Sequence, residues 1–354
     1  MKIYAINGRF LTRTVAGQER FAREIVAILD KIVPKEQFQL IVPRSVSEIP
    51  KYTNIKVIQY GWLKAEAWEQ ICFAWYVISH RHIAINFCNL VPLLKPGIVC
   101  IHDIFYKTQS HCFHGFRGNI SMFWHRLHYL WSAFFAKHIL TVSEFSQKEI
   151  SHFYYVCPDR ITVVYNGWEH IRVIEEDESI LEKFFLKKKD FYFTLGSVND
   201  YKNIRWVLEA AKKHPNTLFV ITGKTMTSAV EKDIVSDYSL PNVIFTGFLN
   251  DRQMKALLRY CKALIFPSKG EGFGIPPLEA LAVGTEAIVS NSPCLPEIYG
   301  QYVHYLAPND YEHTDPDELL KTPVLPPEGI LKKYSWVKTA SLLYDLLKKI
   351  DLRN

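Results

Sequence analysis

Short apolar runs with a β-leaning composition alternate along the chain with longer stretches whose apolar residues recur every three to four positions. In the first half, strands are predicted at 2–7, 38–43, 55–60, 83–87, 97–102, 138–143 and 161–165. Between the first two lies a helix over 17–32, where Phe21, Ile25, Ile28, Leu29 and Ile32 fall on one face. A second series of strands follows at 191–197, 217–223, 242–247, 263–268, 286–291 and 302–307, joined by helices such as 203–213 and 251–261. Strands alternating with helices imply parallel sheets covered on both faces, and two such series imply two doubly wound α/β domains. The pattern breaks between 169 and 190 into charged runs, EEDES and KKKD, predicted as a linker. The expected organisation is a domain over 1–168, this linker, a domain over 191–334, and a helix over 335–354 that packs back on the first domain.

A length of 354 residues suits two domains of roughly 150 residues each. With 48% hydrophobic and 22% charged residues the chain reads as globular. The seven cysteines are odd in number and scattered, with no Cys-x-x-Cys pair, which argues against a disulfide framework or a zinc site and for a reduced cytoplasm. MKIYAIN opens directly as a strand, so no signal peptide is expected, and no apolar run approaches the ~18 residues of a spanning helix. The net charge of +6 is too small over this length for nucleic-acid binding, and no Gly-x-Gly-x-x-Gly follows the first strand to suggest a nicotinamide cofactor.

The most informative stretch is EGFGIPPLEA, 271–280, between a strand and a helix. Pro276 and Pro277 suit a first helical turn, and Gly272 and Gly274 allow backbone conformations closed to other residues. Glu271 precedes the helix and Glu279 lies in its first turn. Amides at a helix start attract phosphate while nearby carboxylates accept hydrogen bonds from neutral hydroxyls, a combination that suits a nucleotide sugar. A first-turn glutamate also serves as a plain dipole partner, and local chemistry leaves both readings open.

With further motifs lined up, the chain resembles retaining glycosyltransferases of family 4, whose GT-B fold sets two Rossmann-like domains across a cleft. EGFGIPPLEALAVGTEAIVSNSPCLPEIYG carries the resemblance most strongly. NGRFLTRTVAGQERF near the start, IHD at 101–103, TVSEFSQKEI at 141–150, VYNG at 164–167 and GSVNDYKN at 196–203 add to it. The resemblance implies that Glu271 binds hydroxyls of the donor sugar and Glu279 the ribose, while backbone amides of Gly272, Phe273 and Gly274 contact sugar and phosphate. Lys202 would neutralise the diphosphate and Gly17 would approach it from the first domain. His102 would touch the transferred sugar, with Asp103 orienting its loop. Taken alone, Lys202 reads as a surface charge and His102 as a core histidine. Tyr201 stands where the family often has arginine, so either Arg205, Arg20 or Arg13 is expected to supply the missing cation or turnover is expected to be slow.

The implied reaction moves a hexose from a GDP-, UDP- or dTDP-sugar to a hydroxyl of a lipid-linked acceptor or a growing cell-surface polysaccharide, such as lipopolysaccharide. Retention is expected by a front-face path, with no cofactor and no metal required. The Asp315-Pro316-Asp317 triplet is predicted to start a helix. Base recognition is expected near Gly247 and Phe248. Acceptor-side segments are expected at 61–70 and 86–93. On a helical wheel Phe123, Trp124, Leu127, Leu130, Trp131, Phe134 and Phe135 share an arc edged by Arg126 and Lys137, within a basic and His-rich segment that includes His111, His114, Arg117, His125 and His128. This face suits either packing on its own sheet or docking on anionic lipid at the inner side of the cytoplasmic membrane. Two alternatives are a sugar-nucleotide epimerase of the same fold and a non-catalytic partner subunit of a transferase complex.

Overall fold

The computed structural model describes residues 2–108, 115–196, 200–223 and 240–352. The chain divides into two compact units, one of 1–166 with 335–354 and one of 167–334. His111, Cys112 and His114, and residues 197–199 of the GSVNDYKN motif, lie outside the described residues.

The first unit is built on a seven-stranded parallel sheet in the order β3-β2-β1-β4-β5-β6-β7. Its strands are β1 (Tyr4–Asn7), β2 (Phe38–Pro43), β3 (Lys56–Tyr60), β4 (Ile83–Asn86), β5 (Ile98–Cys100), β6 (His138–Thr141) and β7 (Ile161–Val163). Strand β1 is buried at every position, as a central strand covered on both faces must be, whereas the edge strand β3 exposes Lys56 and Gln59. Helix Gly17–Ile32 buries Phe21, Ala22, Ile25, Val26 and Leu29. Against it lies the final helix, Trp336–Leu352, whose Trp336 ring meets Phe21 edge-on with centroids 5.9 Å apart. Tyr4 donates to the Leu347 carbonyl at 3.1 Å, and Trp336, Leu343 and Leu347 are buried. At about 1.5–3 kcal/mol for each buried side chain, these residues hold the carboxyl terminus to the first unit.

The second unit has a six-stranded parallel sheet in the order β10-β9-β8-β11-β12-β13. Its strands are β8 (Phe191–Leu195), β9 (Leu218–Thr222), β10 (Val243–Gly247), β11 (Ala263–Phe266), β12 (Glu286–Ser290) and β13 (His304–Leu306). Strand order reverses between β8 and β11 here, and between β1 and β4 in the first unit. In doubly wound sheets these switch points are where ligands sit, beyond the carboxyl ends of the strands.

Residues 169–190, expected as a linker, fold as part of the second unit. They form helices His170–Val173 and Ser179–Lys183 and bury His170, Ile171, Ile180 and Leu181. Their charges are partnered: Glu176 reaches Arg259 at 2.6 Å and Lys255 at 3.6 Å, and Glu178 reaches Lys188 at 2.7 Å. The chain passes between the units at Asn166–Gly167 and again at Tyr334–Ser335. No helix among the described residues is long and apolar enough to cross a membrane.

Candidate functional site

In the second unit, the loops after β8 and β11 flank the switch point. Residues 267–274 lead from β11 into helix Ile275–Ala282. Gly274 is the residue before that helix, with φ of +80°. A Cβ there would lie 2.9 Å from Leu295 Cδ2 and 3.2 Å from a Phe266 ring carbon, so conformation and space both select glycine. Tyr299 locks the turn, because its hydroxyl donates to the Gly274 carbonyl and accepts from the Leu278 amide at 3.1 Å. Cys294 Sγ donates to the Gly272 carbonyl at 3.2 Å, and Phe273 is buried edge-on against Tyr334. Pro276 and Pro277 carry no N–H and the Leu278 amide is taken by Tyr299, so what this fixed turn presents is the positive end of the helix dipole.

Lys202 comes from the other loop. Its Nζ donates to Glu271 Oε1 at 2.7 Å, with both side chains mostly shielded from solvent. The ammonium also lies 5.3 Å from the Phe266 ring centroid and 5.2 Å from that of Tyr201. Asn203 braces this loop from a left-handed conformation (φ +54°), donating to the carbonyls of Pro267 at 3.0 Å and Pro308 at 2.8 Å. The two loops are thereby tied together, and Lys202, Glu271, Gly272, Phe273 and Gly274 form one cluster. Arg205 lays its guanidinium over the Tyr311 ring and stands 4.0 Å from Glu209. Of the other two candidate cations, Arg13 reaches Glu19 at 3.3 Å and Arg20 reaches Glu24 at 3.7 Å within the first unit.

Glu279 projects from the same helix. Its Oε1 lies 2.7 Å from His170 Nε2, and the imidazole is almost wholly buried. Sequence reasoning missed His170 because it stands in the charged stretch taken for a linker, where helical periodicity is too short to register. Asp315 caps helix Pro316–Leu319 through the amides of Asp317 and Glu318, while Asp317 pairs with Lys262 at 2.5 Å. Gly247, at the carboxyl end of β10, has φ of +73°, and the neighbouring Phe248 is exposed.

In the first unit, His102 follows β5 and is buried. Its Nε2 lies 2.8 Å from the Phe87 carbonyl, its backbone amide donates to Asn89 Oδ1 at 2.8 Å, and its ring meets Phe21 edge-on. Burial lowers its pKa to about 4. The imidazole is therefore neutral at pH 7, with the proton on Nε2 facing the carbonyl and the lone pair on Nδ1. Gly17 begins its helix with no atom within 4 Å of where a Cβ would stand. Its neighbour Gln18 accepts from the Asn89 amide at 3.2 Å, linking the helix start to the loop that holds His102. Asp103 accepts from the Phe105 amide at 3.1 Å and so caps the next turn. Nearby Glu149 has its pKa raised to about 7 by burial and then by the Asp103 charge, a perturbation with no signature in the chain's residue pattern.

Residues 176–320 match the family described as Glycosyl transferases group 1. The O-antigen chain mannosyltransferase RfbU of Salmonella typhimurium is 29% identical over 253 residues, covering 67% of each chain. The serotype-specific mannosyltransferase WbdA of Escherichia coli is 30% identical over 229 residues, 58% of this chain but 28% of WbdA. The chain therefore spans little more than a quarter of that relative. Among solved structures, a sucrose-phosphate synthase from Thermosynechococcus elongatus superposes with a TM-score of 0.74 at 14% identity, covering 100% of both chains. That likeness shows the GT-B fold, α/β with two Rossmann-like units.

Proposed function

We propose that this chain, whose residues 176–320 match the group 1 glycosyl transferases, moves a hexose, with retention of configuration, from a nucleotide-diphosphate sugar to a glycan or lipid-linked acceptor hydroxyl in cell-surface polysaccharide assembly. Mannose is the favoured hexose, because RfbU and WbdA are both named mannosyltransferases. The observation that carries the reading is the Lys202–Glu271 pair at the β8/β11 switch point, beside the fixed turn of Gly272, Phe273 and Gly274.

In this reading the donor's diphosphate takes Lys202 and the backbone amides of Gly272, Phe273 and Gly274, and Glu271 is released to accept from sugar hydroxyls. Glu279, held by His170, accepts from the ribose. As the glycosidic bond breaks, negative charge grows on the leaving phosphate, where a fixed cation and fixed amides stabilise it without reorganising. Retention follows a front-face path, in which the departing phosphate oxygen takes the acceptor's proton while Glu271 positions the sugar and forms no covalent bond. His102, neutral and carrying its lone pair on Nδ1, suits a hydrogen bond from a hydroxyl of the transferred sugar better than it suits proton transfer. Gly17 leaves room for phosphate to approach its helix start.

Membrane contact rests on helix Gly115–Phe135. Its inner side buries His128, Tyr129, Ser132 and Ala133, whereas Phe123, Leu130, Phe134 and Phe135 are exposed. Lys137 is exposed just beyond them, and Arg126 Nε donates to the Tyr106 carbonyl at 2.7 Å. An outward apolar face of this kind suits the surface of an anionic bilayer.

A thermal-shift screen across GDP-, UDP- and dTDP-sugars tests the donor assignment. A donor at 100 times its dissociation constant stabilises by about 2.7 kcal/mol, enough to raise the midpoint by roughly 5–10 °C. If no nucleotide sugar moves the midpoint, the reading fails.

A further inference from the structure

His102 is gripped at two points by the short segment that follows β4. Phe87 presents its carbonyl 2.8 Å from the imidazole Nε2, and Asn89 Oδ1 accepts from the His102 backbone amide at 2.8 Å. Ring and backbone of one residue are thereby fixed against the same stretch of chain. Hydroxyls of the TVSEFSQKEI motif add to the hold. Ser146 Oγ donates to the His102 carbonyl at 3.1 Å, Ser143 Oγ donates to Ser146 Oγ at 3.0 Å, and Thr141 Oγ1 donates to the Ile101 carbonyl at 2.7 Å.

Asn89 does more than hold His102. The residue is 3% exposed, too deep to touch an acceptor, and its polar groups are taken up inside the protein. Besides accepting from His102, its Nδ2 donates to the Tyr129 hydroxyl at 3.4 Å and its backbone amide donates to Gln18 Oε1 at 3.2 Å. Gln18 follows Gly17 in the first turn of helix Gly17–Ile32. Hydrogen bonds therefore run without a break from that helix start, through Asn89, to His102. A buried amide satisfied on both sides admits one arrangement of its neighbours, because any other leaves a buried donor or acceptor unmet.

We infer that Asn89 is a positioning residue for sugar transfer: it fixes His102 relative to the helix start at Gly17, so that the imidazole facing the transferred sugar and the backbone facing the diphosphate keep one separation. The inference rests on the transferase reading and deepens it, adding the side chain on which the placement of His102 depends. A contact misplaced by about 1 Å can lower the rate by about a hundredfold, so such a joint controls turnover without touching substrate.

Steady-state transfer by the full chain, using the donor identified by thermal shift, tests this. Asn89→Ala should lower kcat by about thirtyfold while the donor KM stays within about twofold, because Lys202, Glu271 and Glu279 are untouched. On a His102→Ala background the same substitution should cost less than about twofold, since Asn89 acts through His102. Imidazole ¹⁵N shifts, assigned by comparison with His102→Ala, give a readout independent of turnover. Wild type should show His102 as a single tautomer protonated at Nε2, and Asn89→Ala a mixture of the two tautomers. Gln18 is half-buried on a helix, so Gln18→Ala keeps the fold even if Asn89→Ala does not, and it should lower kcat about fivefold, the worth of one hydrogen bond. Wild-type kcat in Gln18→Ala, an equal loss from Asn89→Ala with and without His102, or an unchanged tautomer in Asn89→Ala would each overturn the inference. A wild type that transfers sugar from no nucleotide sugar would instead overturn the transferase reading on which it rests.

Discussion

His170 Nε2 stands 2.7 Å from Glu279 Oε1, joining a residue of the stretch expected to be a linker to the carboxylate assigned to the ribose. The imidazole is buried and the carboxylate partly so, and the contact fixes where Glu279 points. His170→Ala should weaken nucleotide binding by about tenfold, equivalent to about 1.4 kcal/mol, and His170→Gln should restore part of it. Calorimetric titration with the nucleotide diphosphate alone checks this. Equal affinity in wild type and His170→Ala would show that Glu279 needs no brace.

Gly17 and Gly274 separate function from folding. Gly274 has a positive φ and a crowded Cβ position, so Gly274→Ala should cost about 1–3 kcal/mol of stability. Gly17 has an open Cβ position at a helix start, so Gly17→Ala should leave the thermal midpoint level or slightly raised, since alanine is the better helix former. Donor affinity should nevertheless fall in Gly17→Ala if phosphate approaches that backbone. A fall in the midpoint with unchanged affinity would reverse the assignment.

The buried imidazoles set an acid limit. His102 and His128 have pKa values lowered from 6.5 to about 4, chiefly by burial, and His125 is lowered by burial and by the charge of Arg13. The unfolded chain takes up these protons near pH 6.5, whereas the folded chain refuses them until about 4. Stability is therefore full above pH 6.5 and is lost as pH falls towards 4, by an amount on the order of 3 kcal/mol for each of His102 and His128. Glu149 works the other way, since its raised pKa favours the folded state as pH falls from about 7. Urea titrations at pH 7 and pH 5 should show a lower midpoint at pH 5, and His128→Gln should reduce that difference. An unchanged difference in the variant would contradict the burial argument.

The sheets were legible in the sequence because a parallel strand covered on both faces is a short run of apolar residues and little else. All thirteen predicted strands appear within a few residues of their predicted bounds, from Tyr4–Asn7 to His304–Leu306. The turn around Gly274 and Glu271 was legible too, since proline and glycine punctuate it. The stretch 169–190 was not, because charge on the surface of a folded unit has the same composition as charge in a linker, and what distinguishes them is that Glu176 pairs with Arg259 and Glu178 accepts from the Tyr260 hydroxyl, partners distant in the sequence. The links through Asn89 escaped for the same reason: Gln18 and Asn89 are unremarkable singly, and the carboxyl ends of β4 and β5 bring Asn89 and His102 together.

The outward face of helix Gly115–Phe135 makes a further prediction. Phe123, Phe134 and Phe135 are 69%, 64% and 57% exposed. Wild type should float with vesicles containing anionic lipid, and the triple serine variant of these residues should stay in the soluble fraction with donor binding intact. Flotation of the variant equal to wild type would assign the face to another role.

The central claim is that Lys202 and Glu271 hold and activate a nucleotide sugar. Transfer of labelled hexose from the donor identified by thermal shift should fall by about a hundredfold or more in kcat for Lys202→Ala and for Glu271→Ala, with both variants folded. Undiminished transfer in either variant would contradict the account.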